Sequence, residues 1–226
     1  MQLAIDTSTD TASLALVRDR RVVAELTWRC GQNHTRQLLP NLDHLLHQFE
    51  LGPQAITGII VARGPGSFNG LRVGVSTAKG LAFSLSVPIV GVSSLETEAY
   101  QYAETGLPVC PIFNAGRGEI ATAMYHKRDG EWLQLVDEHI TTVETLCSKI
   151  TTPTVFCGEY VPNVAPQIEE LCAGKVVILS SVTSLRRAGF LAELGLRRLE
   201  AGDSDDPATL QPVYLRRPSI TIAKHR

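Results

Sequence analysis

This sequence has no surplus of positive charge. Its 21 lysines and arginines stand against 23 aspartates and glutamates, for a formal net charge of −2 over 226 residues. Affinity for nucleic acid rests heavily on phosphate neutralisation, so the chain lacks the means to grip RNA unaided, and any service to RNA implies a partner that does the holding. Long apolar runs are missing as well. Nothing approaches the roughly eighteen apolar residues from which a membrane span is read. The start, MQLAIDTSTD, has no basic segment leading into an apolar one, so no secretory signal is expected. Cysteines are few and follow no pattern: Cys30, Cys110, Cys147, Cys157 and Cys172 are scattered and form no CxxC. That argues against a disulfide framework and a thiolate zinc site. Buried thiols in a reducing compartment are expected, and with them a cytoplasmic protein that has no business with the membrane.

What is present alternates. Residues 2–7, 11–17 and 22–28 read as three strands, separated by turn-rich Asp6-Thr-Ser-Thr-Asp10 and Arg18-Asp-Arg-Arg21. Leu38, Leu39, Leu42, Leu45, Leu46 and Phe49 then recur at helical spacing, and Pro40 predicts a kink or a late start. A strand at 58–62, a helix near 70–85, a strand at 88–92 and a helix at 93–102 follow. After Leu107-Pro108 the order repeats: strands at 109–114, 119–125 and 132–140, helix 143–150, strand 154–157, helix 163–171, strand 176–179 and helix 183–200. An α/β protein of two lobes is predicted, residues 1–107 and 108–226, each βββαβαβα with a mostly parallel core and a cleft between them. Acidic 202–206 reads as a loop, and the basic, proline-containing C-terminus as a tail, docked or loose.

The stretch GPGSFNGLRVGVSTAKG, residues 64–80, invites a phosphate-loop reading, because a glycine turn feeding a helix start gathers free N–H groups. It fails both established forms. A Walker loop needs Gly-Lys-Ser/Thr at its end, whereas Lys79 lies deep in the helix, and Gly64, Gly66 and Gly70 are spaced one residue too long for GxGxxG. The helix itself says more. Gly70, Gly74 and Ala78 fall at four-residue steps, with Leu71, Val75 and Ala82 on the flank. Interior glycine costs about 1 kcal/mol relative to alanine, so a bare face of this kind implies close approach by something. Either the chain's own core or another subunit supplies it.

Six segments taken together resemble the TsaB (YeaZ) family: AIDTSTDTASLAL (4–16), NHTRQLLPNLDHLL (33–46), GPGSFNGLRVGVSTAKGLA (64–82), PIVGVSSLE (88–96), GRGEIATAMY (116–125) and PVYLR (212–216). The resemblance runs through essentially the whole chain. It implies the two-lobed sugar kinase/Hsp70/actin-like ATPase fold. It also implies a scaffold or activator in the making of N6-threonylcarbamoyladenosine in tRNA, heterodimerising with a TsaD-type catalytic homologue alongside a TsaE-type ATPase. The tRNA would be met only through the complex. On this resemblance the helices near 34–49 and 70–85 form the partner bundle. The expected interface residues are Leu38, Leu42, Leu45, Gly70, Leu71, Gly74, Val75, Ala78 and Ala82, with a homodimer through the same face as the alternative.

No catalytic residue, metal or cofactor is expected in this chain itself. The resemblance sets Ser94 and Glu98 where the catalytic homologue carries two metal-binding histidines, and a hydroxyl with one carboxylate makes a poor transition-metal pair. In this fold the first turn meets phosphate and magnesium, which leaves Asp6 and Ser8, with Asp10 nearby, as weak nucleotide contacts. The turn lacks the glycine of DxGxT that lets backbone approach phosphate. His34 beside Thr35 has no GxSxG nucleophile to serve, and His44 with His47 lacks a third ligand. Asn114 stands where the family often has aspartate. Arg186, Arg187, Arg197 and Arg198 are the nearest thing to a basic cluster, on the last helix. The rival expectation is an active enzyme of the same fold, an ATP-dependent transferase or a glycoprotease-like metallopeptidase.

Overall fold

A computed structural model of the chain describes residues 1–178 and 185–216. Strands β1 (Gln2–Asp6), β2 (Thr11–Arg18) and β3 (Arg21–Arg29) form an antiparallel meander. Helix α1 (His34–His47), strand β4 (Gly58–Gly64), helix α2 (Phe68–Leu85), strand β5 (Ile89–Ser93) and helix α3 (Ser94–Tyr100) follow. The second half runs β6 (Val109–Gly116), β7 (Glu119–Arg128), β8 (Glu131–Thr141), α4 (Val143–Cys147), β9 (Thr154–Cys157), α5 (Val161–Leu171), β10 (Val176–Ile178) and α6 (Ala188–Glu200). The two sheets are ordered β3-β2-β1-β4-β5 and β10-β9-β6-β7-β8. Each therefore has an antiparallel meander on one side and two parallel strands on the other, at matching places in the order. The βββαβαβα order expected from the sequence is present in both halves.

Alternation in β1 shows how the first sheet is covered. Leu3 and Ile5 point to one face and meet Leu38, Leu42 and Leu45 of α1 with Val75 and Ala78 of α2. Ala4 points to the other and, with Ala15, Ile60 and Val90, meets Ala188, Leu191 and Ala192 of α6. A central strand covered on both faces is apolar from Leu3 to Ile5, although the sheet is half antiparallel and not mostly parallel as expected. Each fully buried leucine or isoleucine contributes about 1.5–3 kcal/mol.

Helix α6 corrects two expectations. It begins at Ala188 rather than 183, because Arg187 is extended, with φ −111° and ψ 131°; residues 183–184 lie outside the described part. It also lies on the first sheet, although it comes from the second half of the chain. Gly195 permits the contact, since a Cβ there would sit 2.3 Å from Cγ2 of Ile60. Helix α6 therefore packs on the sheet of the other half of the chain. Pro40 does not delay α1, which starts at His34 and carries the proline on its exposed side. Of the strand expected at 176–179, residue 179 lies outside the described part. All five cysteines are buried and free, and among the described residues no helix is long and apolar enough to cross a membrane.

Candidate functional site

The glycine stripe of α2 faces inward, against the turn that follows β1. A Cβ at Gly66 would lie 2.1 Å from the carbonyl oxygen of Ser8, and one at Gly70 2.1 Å from that of Thr7. One at Gly74 would meet Thr7 Oγ1 at 2.2 Å. Thr7 Oγ1 donates to the Gly70 carbonyl at 2.8 Å, and Ser67 N donates to Ser8 O at 2.7 Å. Ser67 also caps the helix, accepting from Gly70 N. Bare backbone is required here so that the helix can lie directly on the turn. The expectation that Gly70, Gly74 and Ala78 form a subunit surface is thereby corrected. All nine residues named for it, Leu38, Leu42 and Leu45 on α1 and Gly70, Leu71, Gly74, Val75, Ala78 and Ala82 on α2, are buried within the chain. The faces turned outward are different ones. Phe83 is 82% exposed on α2 and Leu39 53% exposed on α1, with Arg72, Ser76, Gly80 and Ser84 along the same outer side of α2.

The turn pinned by α2 ends in a buried ionic network at the base of the cleft between the sheets, where a cavity of about 300 Å³ stays open beside Ser8, Thr9, Phe113 and Glu159. Asp6 Oδ1 accepts from Ser8 N at 2.9 Å and from Ser8 Oγ at 2.6 Å, while Oδ2 accepts from Arg186 Nε at 2.5 Å. Arg186 Nη2 donates to Ser8 Oγ at 2.9 Å and to Thr9 Oγ1 at 3.2 Å. Thr9 Oγ1 in turn donates to Glu159 Oε1, at 2.5 Å, across to the second half. The guanidinium also stands over the Phe113 ring, 5.1 Å from its centroid. Both members of the Asp6–Arg186 pair are 1% exposed. Burial alone would lower the Arg186 pKa, but Asp6, Glu159 and Glu98 outweigh it and hold the guanidinium above its ordinary value. His34 donates from Nε2 to the carbonyl of Thr9 at 2.7 Å, which fixes its tautomer and makes it a clamp on the same turn.

Glu98 completes the centre. It is fully buried, and neither carboxylate oxygen has a well-formed hydrogen bond among the described residues. Burial pushes its pKa up to about 7, against a downward pull from Arg186 and further upward pushes from Glu159 and Asp6. Ser94, one turn earlier, accepts from Gly64 N at 3.2 Å. Ser94 and Glu98 are thus buried parts of α3, packed against its neighbours.

This centre does not fit a nucleotide phosphate with magnesium. Asp6 and Ser8, the weak nucleotide contacts expected from sequence, have spent their oxygens on Arg186 and on each other, and the charge that a cation would neutralise is already met by a guanidinium. Among the described residues no three histidine, cysteine, aspartate or glutamate side chains are grouped to hold a metal ion. His44 and His47 are exposed, next to Gln48 and Asp43 respectively. Asn114 is exposed and uses Oδ1 to accept from Gly116 N at 2.8 Å, a local turn.

Arg186 is the functional residue that the sequence misplaced. Counted with a basic cluster on the last helix, it lies before that helix and is buried. The remainder of the cluster is dispersed into ion pairs, Arg187 with Glu25, Arg197 with Glu193 and Arg198 with Asp203 and Asp205. The tail docks at least to residue 216: Val213 N donates to Arg63 O at 2.7 Å and Arg216 Nη1 to Ala115 O at 2.9 Å.

A family model described as "TsaD: tRNA N6-adenosine threonylcarbamoyltransferase" matches residues 28–224. A curated relative, "tRNA threonylcarbamoyladenosine biosynthesis protein TsaB" of Bacillus subtilis, is 36% identical over 217 residues, covering 95% of this chain and 93% of the relative. The protein of that name from Escherichia coli is 36% identical over 133 residues, 58% of this chain and 57% of its own. The solved structure of YeaZ from Pseudomonas aeruginosa superposes with a TM-score of 0.78 at 26% identity, covering 94% of this chain and 99% of that one.

Proposed function

Because this chain belongs to the TsaB family, we propose that it serves the formation of N6-threonylcarbamoyladenosine in tRNA as a non-catalytic subunit. It pairs with a TsaD-type catalytic homologue, works alongside a TsaE-type ATPase in the cytoplasm, and meets tRNA only through the assembly. The observation that carries the reading is the Asp6–Arg186 pair: the carboxylate that a fold of this kind would offer to a metal-bound phosphate is paired with the chain's own guanidinium. A near-neutral formal charge supports the assignment of tRNA binding to the assembly, since neutralised phosphates supply much of such affinity.

The partner surface is assigned to the outer sides of α1 and α2, centred on Leu39 and Phe83. Phe83 is an aromatic side chain left almost wholly in water, and exposed aromatics of this kind anchor interfaces. A homodimer through the same surface is the competing use. The test is co-expression of the tagged chain with a TsaD-type homologue, followed by pull-down, light scattering and measurement of modified adenosine in tRNA. Capture of the homologue and modification that depends on both chains are expected. Threonylcarbamoylation or ATP turnover by the isolated chain would overturn the reading in favour of the active-enzyme rival.

A further inference from the structure

A second cavity, sharing no residue with the Arg186 network, opens between the two sheets beside α6, with a volume of about 520 Å³. Its size suits a small molecule. One wall carries two carboxyl groups. Glu138 accepts from Ser93 Oγ and from Tyr125 OH, the latter at 3.4 Å. Glu96 stands close by, and its pKa is raised by burial first and by Glu138 second, with smaller opposing pulls from the Trp132 indole, Arg198 and Arg63. The side of the cavity is aromatic and fixed: Trp132 stacks on Tyr125 at 5.5 Å between centroids, and its edge is held by Tyr100 at 5.3 Å.

The cations around this cavity are unequal. Arg198 is taken up by Asp203, Asp205 and the Gly91 carbonyl, and Arg197 by Tyr100 and Glu193. Arg63, also lining the cavity, makes no side-chain hydrogen bond or ion pair among the described residues. Two carboxyl groups and a guanidinium, none of them in a contact ion pair among the described residues, therefore share one small cavity. A phosphate would be repelled by the carboxylates and a simple cation by the arginines. A molecule carrying both charges satisfies both sets.

We infer that this cavity binds a small zwitterion of the amino-acid or short-peptide class, with its ammonium on Glu96 and Glu138 and its carboxylate on Arg63. The inference is independent of the proposed partner surface, so its failure would leave that reading untouched. The chain has two tryptophans, so Trp28→Phe makes Trp132 the sole indole reporter. Titration of that protein with alanine and with alanyl-alanine should change Trp132 emission saturably at millimolar concentration or below. Saturation by one and not the other assigns the class within the proposal. Capping either end, as N-acetylalanine or alaninamide, should weaken binding about tenfold or more, the worth of one charge-assisted contact. Arg63→Met, which keeps the stem, and Glu138→Gln, which keeps an acceptor, should each do the same without altering the thermal melt. No saturable change with either zwitterion in folded protein would overturn the inference. Equal binding of the capped compounds would overturn it as well.

Discussion

Replacing Arg186 by methionine should destabilise the protein severely, and the structure sets the size of the effect. The guanidinium and the Asp6 carboxylate are 2.5 Å apart with both side chains 1% exposed, so water cannot replace the lost partner. Asp6 would retain only the Ser8 amide and hydroxyl, both on Oδ1, and Oδ2 would be stranded. Breaking a buried pair from one side costs about 3–5 kcal/mol, against a total stability of about 5–15 kcal/mol for a typical domain. With a urea slope of about 2–3 kcal/mol/M, the midpoint should fall by more than about 1 M. The same principle expects the double change Asp6→Asn with Arg186→Met to recover most of the loss, because no uncompensated charge is then buried. A double-mutant cycle on urea melts should give a coupling of at least about 3 kcal/mol. Arg186→Lys should behave more like methionine than like arginine, since one ammonium cannot serve Asp6, Ser8 and Thr9 in a planar fork. A loss under about 1 kcal/mol for Arg186→Met would mean that the pair is not the buried ion pair described, and the argument that Asp6 is already taken up would fall with it.

Gly70→Ala should lose about 2 kcal/mol or more despite its gain in helix propensity, because the new Cβ meets the Thr7 carbonyl oxygen at 2.1 Å. Gly80→Ala, on the open side of the same helix with nothing within 4 Å, should gain up to about 1 kcal/mol in the same urea melts; a loss at Gly80 matching that at Gly70 would refute the assigned orientation of α2. Glu98 titrates near 7 in the folded chain against an ordinary 4.5, so the folded state holds more protons than the unfolded one between those values. Its contribution to stability therefore falls as pH rises through that window. Glu98→Gln should remove this slope and stabilise the protein above pH 7 by up to about 3 kcal/mol, read from urea midpoints on either side of the window; equal midpoint differences at both ends would refute it. Phe83→Arg with Leu39→Glu should abolish capture of the TsaD-type homologue while leaving the melt unchanged, since both side chains stand in water in the isolated chain; undiminished capture would move the interface elsewhere.

What could be read from sequence divides by the range of the interaction. Strands and helices were legible because their signals are local: the Leu38-Leu42-Leu45 spacing, the alternation of Leu3, Ala4 and Ile5, and the polar turn after Asp6 lie within a few residues of one another. The glycine stripe was legible as a demand for close approach, and that demand is real. Its object was not, because Thr7 lies 63 residues from Gly70 and nothing in the helix pattern distinguishes an internal turn from a foreign helix. Arg186 was the least legible. In sequence it is one of four arginines near a helix, and only the fold, by returning the chain to the first sheet, carries it 180 residues back to Asp6. Yet the first turn did carry half of the message. A turn that reads Asp-Thr-Ser-Thr, without the glycine that admits phosphate, offers three hydroxyls and a carboxylate with no anion to receive. Buried, such a set requires a donor, and a donor supplied by the chain itself leaves the carboxylate already paired. The missing glycine and the inserted guanidinium are therefore one structural fact, of which the sequence displays the first part and the fold supplies the second.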